Sequence, residues 1–202
     1  MRFTALLLAG AVGAAPCATP SRAVELKLLT AGAFKSTVQA LLPEYEKASG
    51  NKVSVENDTV GALMKRIEAG EKFDVVVMTQ ALQAVHYPDK ILDEMLRVGR
   101  QCIITFPNFG HWRCRWYLAS KGRMPVSEFL PYTWYNTPNI HFCTFEDFEE
   151  LCRERDAKVI DRLAVDQQHR HGWASKLWPN LLGEIGIYRV SSPGLQDHKI
   201  AV

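Results

Sequence analysis

Several residue groupings in this chain have types and spacings that could do chemistry. Two small-residue loops, Thr30-Ala31-Gly32-Ala33-Phe34 and Glu56-Asn57-Asp58-Thr59-Val60-Gly61-Ala62, each stand where a helix should open. Free backbone N–H groups and the helix dipole at such starts suit an anion. Gly32, Ala33, Thr59, Val60 and Gly61 are therefore candidate oxyanion contacts, although small residues there also serve as tight turns and caps. Glu56, at a strand end, is an acid that could accept hydrogen bonds from a ligand or from a helix start. His111-x-x-Cys114 and His141-x-Cys143 offer imidazole and thiol donors, but neither has the paired spacing of a structural zinc site, so no metal is expected. Trp112, Arg113, Arg115, Trp116, Tyr117 and Lys121 interleave basic and aromatic residues as nucleic-acid binders do. Helical periodicity gives a simpler account, with the aromatics inward and the arginines outward. Trp134, Tyr135 and Trp178, in a proline-rich surface, are suited to anchor a protein partner. The His169-Arg170-His171-Gly172 run reads as a solvated polar loop. No Ser-His-Asp arrangement or phosphate-binding loop is present, and no catalytic residue can be assigned.

The elements that must position these residues alternate. Strands are expected over Glu25 to Thr30, Lys52 to Glu56, Asp74 to Thr79 and Gln101 to Phe106, with two more over Lys158 to Asp166 and Glu184 to Val190. Helices are expected over Phe34 to Ser49, ended by Gly50, over Gly61 to Glu68, ended by Gly70, and over Pro88 to Val98, stopped by Gly99. Further helices are expected over Gly110 to Ser120 and over Phe145 to Arg155, the latter opened by a capping box of Thr144 and Asp147. Residues 122 to 143, with Pro125, Pro131 and Pro138, read as a long loop over the sheet edge, and the tail from Ser191 as frayed. This order predicts an α/β fold with a doubly wound, mostly parallel, Rossmann-like sheet whose last strand is antiparallel. Ligands in such sheets bind beyond the carboxyl ends of the strands, so the loops after Thr30, Glu56, Thr79 and Phe106 are the ones to inspect.

With 202 residues, 47% hydrophobic and 23% charged, the chain has the makeup of one or two globular domains. A formal net charge of +2 names no nucleic-acid or membrane-surface partner. Arg2, the apolar run Phe3 to Ala15 and the segment ending Ser21-Arg22-Ala23 have the three regions of a secretory signal peptide over residues 1–23, too short for a membrane span. That predicts export. Cys102, Cys114, Cys143 and Cys152 have no disulfide-framework spacing and read as buried thiols of a reducing compartment, which predicts the cytoplasm.

The conflict follows a change of identity near Phe73-Asp74-Val75-Val76-Val77. Up to and including it, ELKLLTAGAFKS, LLPEYEKASG, NKVSVENDTVGALMKRIEAGE and FDVVV resemble the first lobe of type II periplasmic solute-binding proteins of the molybdate kind, over residues 24 to 77, with 24 to 72 as the segment proper to it and FDVVV shared. That resemblance implies oxyanion contacts at Gly32, Ala33, Thr59, Val60 and Gly61, with the family's second lobe missing. From residue 73 to 202, FDVVVMTQALQAVHYPDKILDEMLRVGR, CIITFPNFGHWRCRWYLASKGRMPV, LPYTWYNTPNIHFCTFEDFEELCRE and LWPNLLGEIGIY resemble the methionine-biosynthesis MetW family. This resemblance implies a class I S-adenosylmethionine-dependent methyltransferase fold and a link to homoserine O-acyltransferase. It also implies a glycine-rich cofactor loop, where this chain has TAGAF with the single Gly32, and a ribose-binding acid, for which Glu56 has the position. Three expectations follow: a MetW-like protein acting by partner binding without an intact S-adenosylmethionine site, an exported oxyanion-binding fragment, or a chimera without function.

Overall fold

The computed structural model describes residues 24–30, 34–56, 65–66, 68–168, 170 and 172–193. The leader, Gly32, Ala33, Thr59, Val60, Gly61, His169 and His171 lie outside the described residues, as does most of the helix expected over Gly61 to Glu68.

Strand β1 (Glu25–Thr30) is followed by α1 (Lys35–Ser49), β2 (Lys52–Glu56) and β3 (Phe73–Thr79). A short 3-10 turn (Leu82–Ala84) leads to α2 (Pro88–Val98), β4 (Gly99–Pro107) and α3 (Trp112–Lys121). After a long loop come α4 (Phe145–Glu154), β5 (Lys158–Val165), the short α5 (Trp173–Leu177) and α6 (Pro179–Leu182), and β6 (Ile185–Ser191). The six strands form one sheet in the order β2-β1-β3-β4-β6-β5. β1 to β4 are parallel, and β6 runs antiparallel to both β4 and β5. Helices lie on both faces, so the fold is the doubly wound, Rossmann-like α/β sheet with an antiparallel last strand. β1 lies inside the sheet, with Leu28 opposite Val55 of β2 on one side and Val75 of β3 on the other.

Local chemistry explains the element ends. Gly50 closes α1 at φ +72°, a left-handed conformation that glycine reaches without Cβ strain, and its N–H donates to Glu46 O. α2 starts at Pro88, whose missing N–H falls where helices have no internal acceptor. It buries Leu92, Met95 and Leu96, a spacing of three and four that defines one face. Gly99 does not stop this helix by a left-handed turn: it is extended, at φ −103°, and is already the first residue of β4. Glycine is needed there because a Cβ would lie 2.7 Å from Val76 Cγ2. α4 carries the expected capping box, with Asp147 N–H donating to Thr144 Oγ1 at 3.2 Å and Thr144 N–H to Asp147 Oδ2 at 3.0 Å.

The main core lies between the sheet and the face covered by α2 and α4. Cys102, Ile104 and Phe106 alternate inward along β4 and are fully buried. Around Phe106, the rings of Phe145, Phe148 and Tyr188 pack with centroids 4.7 to 5.9 Å apart. The Tyr188 hydroxyl reaches Glu149 Oε1 at 2.8 Å, which satisfies the polar end of a buried ring.

Further expectations need correction. The helix expected from Gly110 starts at Trp112, because the Asn108 side chain holds Gly110 in a turn. The segment between the last two strands holds two short helices, α5 and α6, and Ser191 is a buried residue of β6 rather than the start of a frayed tail. In α3 the aromatics do not face inward: Cys114 is the buried residue, while Trp112 and Trp116 are 45% and 69% exposed. Trp112, Cys114, Trp116 and Leu118 repeat every two residues, which a helix of 3.6 residues per turn cannot gather on one face.

Candidate functional site

The carboxyl ends of β3 and β4 are held by polar side chains that have no obvious periodicity. Gln80, after β3, sits at φ +46° and its N–H donates to Thr105 O at 2.8 Å. Gln83 is buried; its Nε2 donates to Gln80 O at 3.0 Å, and its own carbonyl accepts from Ile140 N and His141 N. The long loop after α3 is thereby tied down beside the end of β3.

Asn108 is the centre of the second arrangement. Fully buried just past β4, it donates through Nδ2 to Asn180 O at 2.9 Å and Gly183 O at 2.7 Å, and accepts from Gly110 N at 2.9 Å. One side chain thus joins the start of α3 to α6. Arg115 folds back onto Gly110 O at 2.6 Å, and Arg113 pairs with Glu184 at 3.6 Å. The loop joins the same place through the Phe129 ring, edge-on to His111 at 5.6 Å, and through Phe142, whose ring lies tilted against Phe109 at 4.5 Å. Three pieces of chain converge here, and each carries exposed aromatics: Trp112 and Trp116 on α3, Trp134 and Tyr135 in the loop, Trp173 and Trp178 around α5 and α6. All five tryptophans of the chain are among them, none less than 45% exposed.

The titratable groups here are poor catalysts. His111 caps α3, its Nδ1 accepting from Arg113 N at 3.4 Å, and burial, with Arg113 adding to it, pushes the imidazole down to about 4. It is neutral at pH 7. Burial pushes Cys102, Cys143 and Cys152 up to about 12 and Cys114 up to about 11, so all four stay protonated and unreactive. They are free thiols. No group of three or more metal-binding side chains is assembled among the described residues. What the arrangement presents is an exposed aromatic surface.

Of the residues singled out for ligand contacts, Glu56 alone lies among the described ones. It ends β2, but its Oε2 accepts from Arg66 Nη1 at 3.1 Å and its Oε1 from Ser54 Oγ at 3.4 Å. Arg66 is also gripped by both oxygens of Glu71, at 2.7 and 2.8 Å, which holds the Glu71 carboxyl low. The acid is paired with a guanidinium of its own chain. Trp134, Tyr135 and Trp178 are exposed, in line with an anchoring surface. Asn108, Gln83 and Asn180 were not legible as site residues, although Asn108 stands in Pro107-Asn108-Phe109-Gly110, a turn-forming run.

A family model described as methionine biosynthesis protein MetW matches residues 48–190, starting ahead of Phe73 and taking in β2. The bifunctional methionine biosynthesis protein MetXA/MetW of Rhodopirellula baltica is 38% identical over 104 residues, which cover 50% of this chain and 16% of that protein. The chain thus matches less than a fifth of that relative's length. Among solved structures, SMU.776 complexed with SAH superposes at a TM-score of 0.41 and 8% identity, covering 82% of this chain and 44% of that one. The N-terminal domain of EvdMO1, in the presence of SAH and D-fucose, gives a TM-score of 0.40 and 14% identity, covering 82% and 74%.

Proposed function

The chain belongs to the MetW family of methionine biosynthesis proteins, and on that premise we propose that it acts by docking a protein partner of the homoserine O-acyltransferase type rather than by methyl transfer. The observation that carries this reading is the exposure of all five tryptophans on the three pieces of chain that Asn108 and His111 hold together. Tryptophan supplies much of the energy of protein interfaces when a partner covers it, and a soluble surface seldom displays so many. The Rhodopirellula relative supports the choice of partner, since its name joins MetXA and MetW in one protein. The Glu56–Arg66 pair supports a role without S-adenosylmethionine.

The same reading puts the protein in the cytoplasm with residues 1–23 retained. The free thiols of the described residues support that choice. The N-terminal mass of the protein isolated from its host tests it: an intact start agrees, and a start at Val24 sends the chain to the exported alternative.

The partner reading is tested by calorimetry with the homoserine O-acyltransferase of the same organism. Saturable binding is expected, and a variant with Trp116→Ala, Trp134→Ala and Trp178→Ala should bind at least about 30-fold more weakly, the equivalent of one ~2 kcal/mol anchor. Absence of a complex, or full affinity in the variant, overturns the docking reading. Saturable binding of S-adenosylmethionine to the full chain overturns the exclusion of methyl transfer.

A further inference from the structure

The exposed tryptophans stand among positive charges. On α3, Trp112 and Trp116 are four residues apart and share one side of the helix, with Arg115 beside them. The Arg113 guanidinium sits over the Trp112 ring at 5.6 Å. Lys121 ends the helix, and Arg123 follows the left-handed turn at Gly122. Lys176 lies between Trp173 and Trp178, with Arg170 just ahead of them. All six cations are exposed. The stretches that carry them, residues 110–143 and 166–184, hold three carboxylates, Glu128, Asp166 and Glu184. Two of these are matched from within: Glu184 by Arg113 at 3.6 Å and Asp166 by Arg170 at 3.0 Å. Arg115, Lys121, Arg123 and Lys176 then stand against Glu128, a surplus of three positive charges. The formal charge of the whole chain is +2, so the rest of it is not positive in balance. Nor does the neighbouring α4 supply the difference: Asp147 caps that helix, Glu149 takes Arg162 and Glu150 pairs with Arg153.

Resting on the docking reading above, we propose that the partner meets this surface with an acidic footprint, its carboxylates set around the apolar sites that receive the tryptophans. A partner that covered the tryptophans with an uncharged face would strip water from the cations beside them and return nothing for it. Carboxylates opposite Arg115, Lys121, Arg123 and Lys176 offset that cost. They also act before contact, because opposite charges on two approaching surfaces raise the rate of productive encounter. The electrostatic contribution therefore belongs to association, and the tryptophans, once covered, hold the complex together. The choice of an acidic protein over a nucleic acid follows from the charge density. Cations spread singly over three pieces of chain, in a molecule of net charge +2, fall short of the dense basic stripe that a phosphate backbone selects.

The test is stopped-flow association of the full chain with the homoserine O-acyltransferase of the same organism at two salt concentrations. Raising NaCl from about 50 to about 500 mM shortens the screening length from about 14 to about 4 Å. The association rate should then fall at least about tenfold, with the dissociation rate changing less than about threefold. Lys121→Glu, Arg123→Glu and Lys176→Glu together should lower the low-salt association rate at least about tenfold and flatten its dependence on salt, with far-UV circular dichroism unchanged. Glu128→Lys, which removes the remaining acid, should raise that rate. Rates that ignore salt and the reversals, or that Glu128→Lys lowers, overturn the acidic footprint and leave docking standing. No complex at either salt overturns docking and the footprint with it. Single-stranded oligothymidylate serves as the competing probe: tighter binding to it than to the acyltransferase would give the surface to nucleic acid and overturn the proposal.

Discussion

His111 shows how one residue can carry the marks of a catalytic group and serve structure instead. It is buried at the mouth of α3, edge-on to Phe129, with Nδ1 spent on the helix's first turn. Burial holds its pKa at about 4, below the ordinary value of 6.5, so the folded protein binds fewer protons than the unfolded chain between those values. The stability from burying it neutral is therefore complete above pH 6.5 and is lost as pH falls toward 4, where the loss reaches about 3 kcal/mol. Denaturant titrations at stepped pH should show this slope in the parent and a flatter one in His111→Phe. Glu71 and Glu94, held low by Arg66 and Arg97, begin to lose their contributions only as pH falls past the ordinary value of 4.5, so the slope between pH 6.5 and 4.5 is the one to compare. What the sequence offered at this scale was residue type. His111 and Glu56 could be picked out, but Phe129 and Arg66, which come from other stretches of chain, decide with Arg113 N–H what each group does.

The helix α4 is the element whose start could be read in advance. Thr144 and Asp147 are three apart, and each satisfies a backbone N–H that the first helical turn leaves free. Thr144→Ala removes the acceptor for Asp147 N–H, and about 1 kcal/mol of stability with it, read as a lower midpoint in urea with unchanged slope. α4 also anchors Phe145 and Phe148 beneath β4, so fraying at its start loosens the ring cluster around Phe106. Six strands and four helices lay close to their expected positions because each has a local signature: apolar runs of strand length, Gly50 and Pro88 at helix ends, the Thr144 box. α3 was legible in place but not in orientation. Its apolar residues Trp112, Cys114, Trp116 and Leu118 alternate along a helical backbone, and only the position of Cys114 against the fold determines which side is left out. α5 and α6 are too short for a period to show, and bonds from Asn108 hold α6 in place.

At the scale of the whole molecule, the chain before Phe73 and the chain from Phe73 onward contribute neighbouring strands of one sheet, and that has a consequence for stability. Leu29 of β1 is buried in the same core cluster as Val76, Met95, Ile104 and Tyr188, and its register partner is Val76 of β3. A residue from before Phe73 therefore packs with residues from every later part of the core. The five tryptophans all lie between Trp112 and Trp178, so their fluorescence reports on the later part alone. Leu29→Ala leaves a cavity that should cost about 2–4 kcal/mol. If the sheet unfolds as one cooperative unit, that loss appears in full in the tryptophan signal, with the fluorescence and far-UV circular dichroism transitions coinciding at a lower denaturant midpoint. Two units merely joined in sequence would give a circular dichroism transition that shifts in part and a tryptophan transition that does not move. The first outcome is expected, because β1 is hydrogen-bonded between β2 and β3 and is not an edge that could peel away by itself.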